Sequence, residues 1–151
     1  MKLNQDSISQ IIQFMKMGQL EKALQLTNHL LKLNKDNLQL NKLASIIYGD
    51  KNDISRSIEI LLSIKKSHPK DFEIANNLGY YYLTLEKLEM AFNNINDAIK
   101  IKPEDPTPYR NLAEYYLLLR DFEKAAIFIT QCLEKNERKD TNFSQYIPAI
   151  L

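Results

Sequence analysis

The side chains with the strongest intrinsic chemistry in this chain are few and scattered. His29 and His68 are the only histidines, and Cys132 is the only cysteine. A metal centre needs several His, Cys or carboxylate ligands at set spacings, and neither histidine has such a cluster around it. Nucleophilic catalysis needs a base beside its nucleophile, and no such neighbour accompanies either histidine in sequence. Glu114-Tyr115-Tyr116 sets a carboxylate beside two phenols, but its context is the face of a helix, not an acid/base pair. Gly79 is one of three glycines, and no Gly-rich phosphate loop surrounds it. These residues predict no catalytic site, no metal and no cofactor. The histidines are expected to be solvated or partly packed, and Cys132 to be a buried, inert thiol.

Composition narrows the classes further. A chain of 151 residues fits one domain, and 44% hydrophobic with 26% charged residues is ordinary for a folded protein. The net charge of +1 lacks the basic excess that binding nucleic acid demands. Opposite charges alternate, as in Lys135-Asn136-Glu137-Arg138-Lys139-Asp140, which reads as a solvated face. A single cysteine excludes an intramolecular disulfide and favours a reducing compartment. No apolar signal region follows Met1, and no apolar run approaches the roughly 18 residues that span a bilayer. The expectation is a cytoplasmic chain without nucleic acid and without membrane insertion. The sequon Asn142-Phe143-Ser144 is read as chance.

The chain is organised by a repeat. Tyr48, Tyr82 and Tyr116 are spaced by 34 residues, and one step back lands on Phe14. Ala23, Ser57, Ala91 and Ala125 form a column of small residues, and Leu20, Ile54, Leu88 and Phe122 a column of large ones. Pro69 and Pro103 share the period. Inside the third repeat, Ala75, Leu78, Gly79 and Tyr82 follow i, i+3, i+4, i+7 spacing, as Leu88, Ala91, Phe92, Ile95 and Ala98 do in their turn. Leu85-Glu86-Lys87 leaves room only for a tight turn, so the two helices must be antiparallel. Gly79, Ala91 and Ala98 then mark the closest approach of the pair, with Tyr82 and Ile95 filling the space beside them.

These columns resemble the tetratricopeptide repeat family. The third repeat (72–105) matches its pattern with Ala75, Leu78, Gly79, Tyr82, Ala91, Ile95, Ala98 and Pro103. The fourth (106–139) matches with Tyr109, Leu112, Ala113, Tyr116, Ala125, Ile129 and Cys132, but has Glu137 where Pro is usual. The second (38–71) keeps Ala44, Ser45, Tyr48, Ser57, Leu61 and Pro69. The first (4–37) is degenerate, with Gln10 and Ile11 for the Leu-Gly pair, as terminal repeats often are. The fold expected is all-α: an α-solenoid of four antiparallel helix pairs in a single domain over 1–151, closed by a short capping segment at 140–151. A capping helix there would end before Pro148.

The resemblance also implies where function lies. First helices of successive repeats in that family line a concave groove that binds partners. The matching positions include Ile8, Ile12 and Met15; Lys42 and Ile46; Asn76, Tyr80 and Leu83; Arg110, Glu114, Leu117 and Leu118, with polar or small residues such as Gln5, Gln39, Gly49, Asp50, Glu73, Thr84 and Thr107 between them. Some members grip a C-terminal carboxylate with basic and amide residues from three adjacent repeats. Here only Lys42 and Arg110 are basic, two repeats apart, which argues against such a clamp. The groove is instead apolar, and an exposed apolar patch marks an interaction site. Three buried anchors contribute roughly 5–9 kcal/mol, whereas association costs about 4–15 kcal/mol. The ligand should therefore be a longer apolar or amphipathic segment. The partner-binding residues expected are Ile12, Lys42, Ile46, Asn76, Tyr80, Leu83, Arg110, Glu114 and Leu117, with Lys42 and Arg110 orienting polar ends. The tail 140–151 filling the groove, a homodimer scaffold, and an accessory segment of a larger enzyme are the alternatives.

Overall fold

A computed structural model describes residues 5–136, in which the chain forms eight α-helices and no strand. They are α1 (Gln5–Lys16), α2 (Leu20–Leu33), α3 (Leu38–Asp50), α4 (Ile54–Lys65), α5 (Phe72–Thr84), α6 (Leu88–Ile101), α7 (Thr107–Leu118) and α8 (Phe122–Asn136). Two helices fall in each 34-residue repeat, as the periodicity predicts. The expected capping helix lies outside the described residues. Contacts divide the chain into two compact units, Met1–Pro69 and Lys70–Leu151.

Polar columns with the same 34-residue period place the helix ends. Asn37, Asp71 and Asp105 recur before the first helix of a repeat. Asn37 Oδ1 accepts from the Leu40 amide (2.9 Å) and Asp71 Oδ1 from the Ile74 amide (3.0 Å). Asp105 Oδ1 accepts from both the amide and the hydroxyl of Thr107, at 3.0 and 2.6 Å. Asp53 caps α4 through the Arg56 amide (3.2 Å), and Asp121 caps α8 through the Lys124 amide (3.1 Å). The Lys124 side chain also hydrogen-bonds to Asp121, and these bonds hold the Asp121 carboxyl below its usual range. Each such cap is worth about 1 kcal/mol.

The turn between paired helices has one form throughout. Gly18, Asn52, Glu86 and Arg120, each 34 residues apart, take φ values of 69°, 64°, 53° and 58°. The next amide then reaches back to the repeat's aromatic column: Gln19 to the Phe14 carbonyl, Asp53 to Tyr48, Lys87 to Tyr82 and Asp121 to Tyr116, all at 2.8–2.9 Å. This is the Schellman termination, which satisfies carbonyls that the helix end leaves open.

In the N-terminal unit, Ile11, Ala23, Leu30, Leu40, Leu43 and Ile47 make one buried cluster. The Ser57 hydroxyl donates to the Ser45 carbonyl (2.7 Å), so α3 and α4 meet through small residues. A Lys51–Glu21 ion pair links the end of α3 to α2. In the C-terminal unit α5 packs on α6, α7 on α8, and α7 also touches both α5 and α6. Ile74, Leu78, Ile95, Leu112 and Ile129 are buried there beside Ala91, Ala98, Ala113 and Ala125. Aromatic rings knit its last three helices: Phe92 and Tyr115 have centroids 5.2 Å apart, and Tyr116 stacks on Phe128 at 5.3 Å.

Gly79 is the point of closest approach. A Cβ built there would stand 2.6 Å from Ile95 Cγ1 and 3.3 Å from the Ile95 amide nitrogen. Ile95 is fully buried and β-branched, so it has little freedom to move away. Helix propensity alone would make Gly79→Ala stabilising by about 1 kcal/mol. Overpacking predicts the opposite, a loss of about 1–3 kcal/mol, read as a lower midpoint in urea denaturation. Conversely, Glu86→Gly removes a side chain from a left-handed position and should raise stability by about 0.5–1 kcal/mol, read as a higher midpoint.

Candidate protein-binding face

His29 is exposed on α2 and His68 just beyond the end of α4, where its Nδ1 lies 3.3 Å from the Ile64 carbonyl. Among the described residues no group of three His, Cys, Asp or Glu side chains could hold a metal ion. Cys132 is fully buried, its thiol 3.2 Å from the Pro106 carbonyl. Burial pushes that thiol's pKa up, against a smaller opposing effect of Arg110. No described helix is long and apolar enough to cross a membrane.

The nine expected partner-binding residues separate by unit and by burial. In the N-terminal unit Ile12 is exposed on α1, while Lys42 and Ile46 are half-buried on α3. In the C-terminal unit α5 and α7 lie against each other and carry the other six. Tyr80 (43% exposed), Arg110 and Glu114 reach solvent, and Leu117 is half-buried. Leu83 and Asn76 do not. Leu83 is 2% exposed and Asn76 8%, so the structure gives both a packing role where surface anchors were expected.

Asn76 has a specific reason to be inside. Its Oδ1 accepts from Asn111 Nδ2 at 3.1 Å, a buried bond between α5 and α7. Asn111 is fully buried, and its own Oδ1 meets no donor among the described residues. An apolar-column reading misses this pair, because the two asparagines stand at different positions of the repeat. The signal that finds it is an amide on each of two adjacent first helices. Above the bond, Tyr80 lies one turn along α5 from Asn76, its ring 5.4 Å from the buried Tyr81 ring. Arg110, Glu114 and Leu117 follow i, i+4, i+7 on α7, so they share one stripe. The face thus carries an exposed aromatic on α5 and, along α7, two opposite charges followed by a half-buried leucine, on helices joined by a buried hydrogen bond.

Comparisons with known proteins agree with this architecture. The family model of ChAPs (Chs5p-Arf1p-binding proteins) matches residues 3–149. The chain belongs to the ChAPs family. It is also 31% identical over 78 residues to a BBSome complex member, BBS4 of Bos taurus. That match covers 52% of the chain but 15% of the relative, so the chain spans a small part of that protein's length. Among solved structures it is similar to TTC0263, a TPR protein of Thermus thermophilus. The TM-score there is 0.81 and the identity 19%, over 88% of this chain and 74% of that one. MamA of Desulfovibrio magneticus RS-1 gives a TM-score of 0.76 at 18% identity, over 89% and 76% of the two chains. This ChAPs chain is therefore an all-α protein of the tetratricopeptide type, a fold used widely for protein–protein interaction.

The inert reading of the cysteine has a direct check. Cys132 should react with a maleimide far more slowly in the native protein than in urea, because only the exposed thiolate attacks. Equal rates would place the thiol at the surface.

Proposed function

We propose that this ChAPs chain is a non-enzymatic interaction module in the cytoplasm, which holds an apolar or amphipathic segment of another protein on the α5–α7 face. One observation supports this reading above the others. Tyr80 leaves 43% of its surface in water, although Asn76, Tyr81 and Leu83 around it on α5 are buried. Large aromatic side chains held exposed on rigid helices are the usual anchors of protein interfaces. The charges beside it fit an amphipathic ligand. Glu114 would meet a basic residue and Arg110 an acidic one, with the ligand's apolar side against Tyr80 and Leu117. With Leu83 and Asn76 inside the fold, fewer anchors remain than the groove column offers. The ligand then needs contacts beyond this face to offset the cost of association.

The family's name supplies the first partners to try. Its members are named for binding Chs5p and Arf1p, and the proteins corresponding to these two are the natural baits. The related BBS4 is described as a member of a complex, which accords with a role in assembly.

The test pairs affinity capture with a direct binding titration. Mass spectrometry of proteins retained by the chain identifies the partner. Tyr80→Ala and Glu114→Arg should each weaken its binding about tenfold, with helix content by circular dichroism unchanged. A partner that binds both variants as it binds the parent protein removes the α5–α7 face from consideration.

A further inference from the structure

The turns of the C-terminal unit break a local rule. A left-handed turn position favours glycine, and tolerates asparagine because its short side chain bonds locally. Gly18 and Asn52 obey this in the first two repeats. Glu86 and Arg120, in the third and fourth, place long charged side chains in the same conformation, which strains each. Both are exposed. Strain that a glycine would relieve, repeated in two neighbouring turns, calls for another reason to hold those side chains there.

Their surroundings supply one. α5 and α7 pack side by side, joined near their N-terminal ends by the Asn76–Asn111 bond, and each runs on into the same turn. The α5–α6 and α7–α8 turns therefore share one edge of the unit, with a helix spacing of roughly 10 Å. Position for position, they carry the same apolar residue and opposite charges. Leu85 corresponds to Leu119, and Glu86 to Arg120. Leu85 is 37% exposed, Leu119 47%, and Phe122 beside it 56%.

A two-fold axis midway between the turns would exchange them. It would set Leu85 of one copy against Leu119 of the other, and Glu86 against Arg120, each twice. A self-complementary patch in which residue i meets j and j meets i is what two-fold association requires. An anionic membrane surface fits less well, because this edge has no basic excess: Glu86, Glu89, Asp121 and Glu123 outnumber Lys87, Arg120 and Lys124.

We infer that this turn edge is an interface between two copies of the chain, with leucines at its centre and reciprocal Glu86–Arg120 pairs at its rim. It goes beyond binding at the α5–α7 face and stands without it, since none of its residues is Tyr80, Arg110, Glu114 or Leu117.

Sedimentation velocity on the full chain, from low to high micromolar concentration, tests it. The parent protein should pass reversibly from monomer to dimer. Glu86→Arg and Arg120→Glu should each weaken the dimer about tenfold, because like charges then face each other twice. An equimolar mixture of the two variants should recover the dimer, since the axis pairs the altered position of one with that of the other. Leu119→Glu should abolish the dimer, and Tyr80→Ala should leave it intact. A parent protein that stays monomeric throughout, a dimer indifferent to both charge reversals, or a mixture that fails to recover overturns the inference.

Discussion

The structure depends on how closely two helices of a pair can approach. Between α5 and α6 the limit is set where Gly79 faces Ile95, with no room for even a methyl group. The paired helices are joined by a short turn, which reverses the chain through one residue in the left-handed conformation. That residue occurs at 18, 52, 86 and 120, and after each the amide returns to the carbonyl of an aromatic column residue. Packing distance, turn geometry and the tyrosine column are thus one arrangement seen at three scales. The N-terminal unit meets the same demand by other means, with Ser57 bonded to the Ser45 carbonyl at the small-residue position.

Much of this was legible in the residues. The apolar and small columns identify the repeat, the helix pairs and the place of Gly79, because those positions answer to a single cause, burial between neighbouring helices. Position along a helix stripe predicted exposure less well. Tyr80 and Leu83 both belong to the expected groove, yet one is exposed and the other buried. A groove has depth, and residues three apart on α5 differ by about 60° around the axis. The period cannot tell the rim from the floor. Asn76 was misplaced for a related reason: an amide looks like surface until the amide that satisfies it is found 35 residues away. The caps at Asn37, Asp71 and Asp105 share the repeat's period and were readable, but only by scanning polar columns with the attention given to apolar ones.

The two surfaces proposed for association differ in kind. The α5–α7 face is preformed: its helices are bonded beneath the exposed side chains, so a ligand there meets little reorganisation cost. The turn edge is built from strained turns whose charged residues reach outward. The two proposals share no residue, so a ligand on the face and a second copy at the edge would not compete for the same side chains.

The buried amide pair also limits how freely the repeats can be shuffled. In their apolar columns the third and fourth repeats look interchangeable with the others. The fourth, however, brings Asn111 into the interior, and it needs an oxygen acceptor from the repeat before it. Only the third repeat carries an asparagine in the matching column, where the first has Ile8, the second Lys42 and the fourth Arg110. Deleting the third repeat, or duplicating the fourth, would bury an amide with nothing to receive its protons, a penalty of about 1–3 kcal/mol. The order of these modules is therefore written into one hydrogen bond, and evolution by tandem duplication would have to replace both of its ends together.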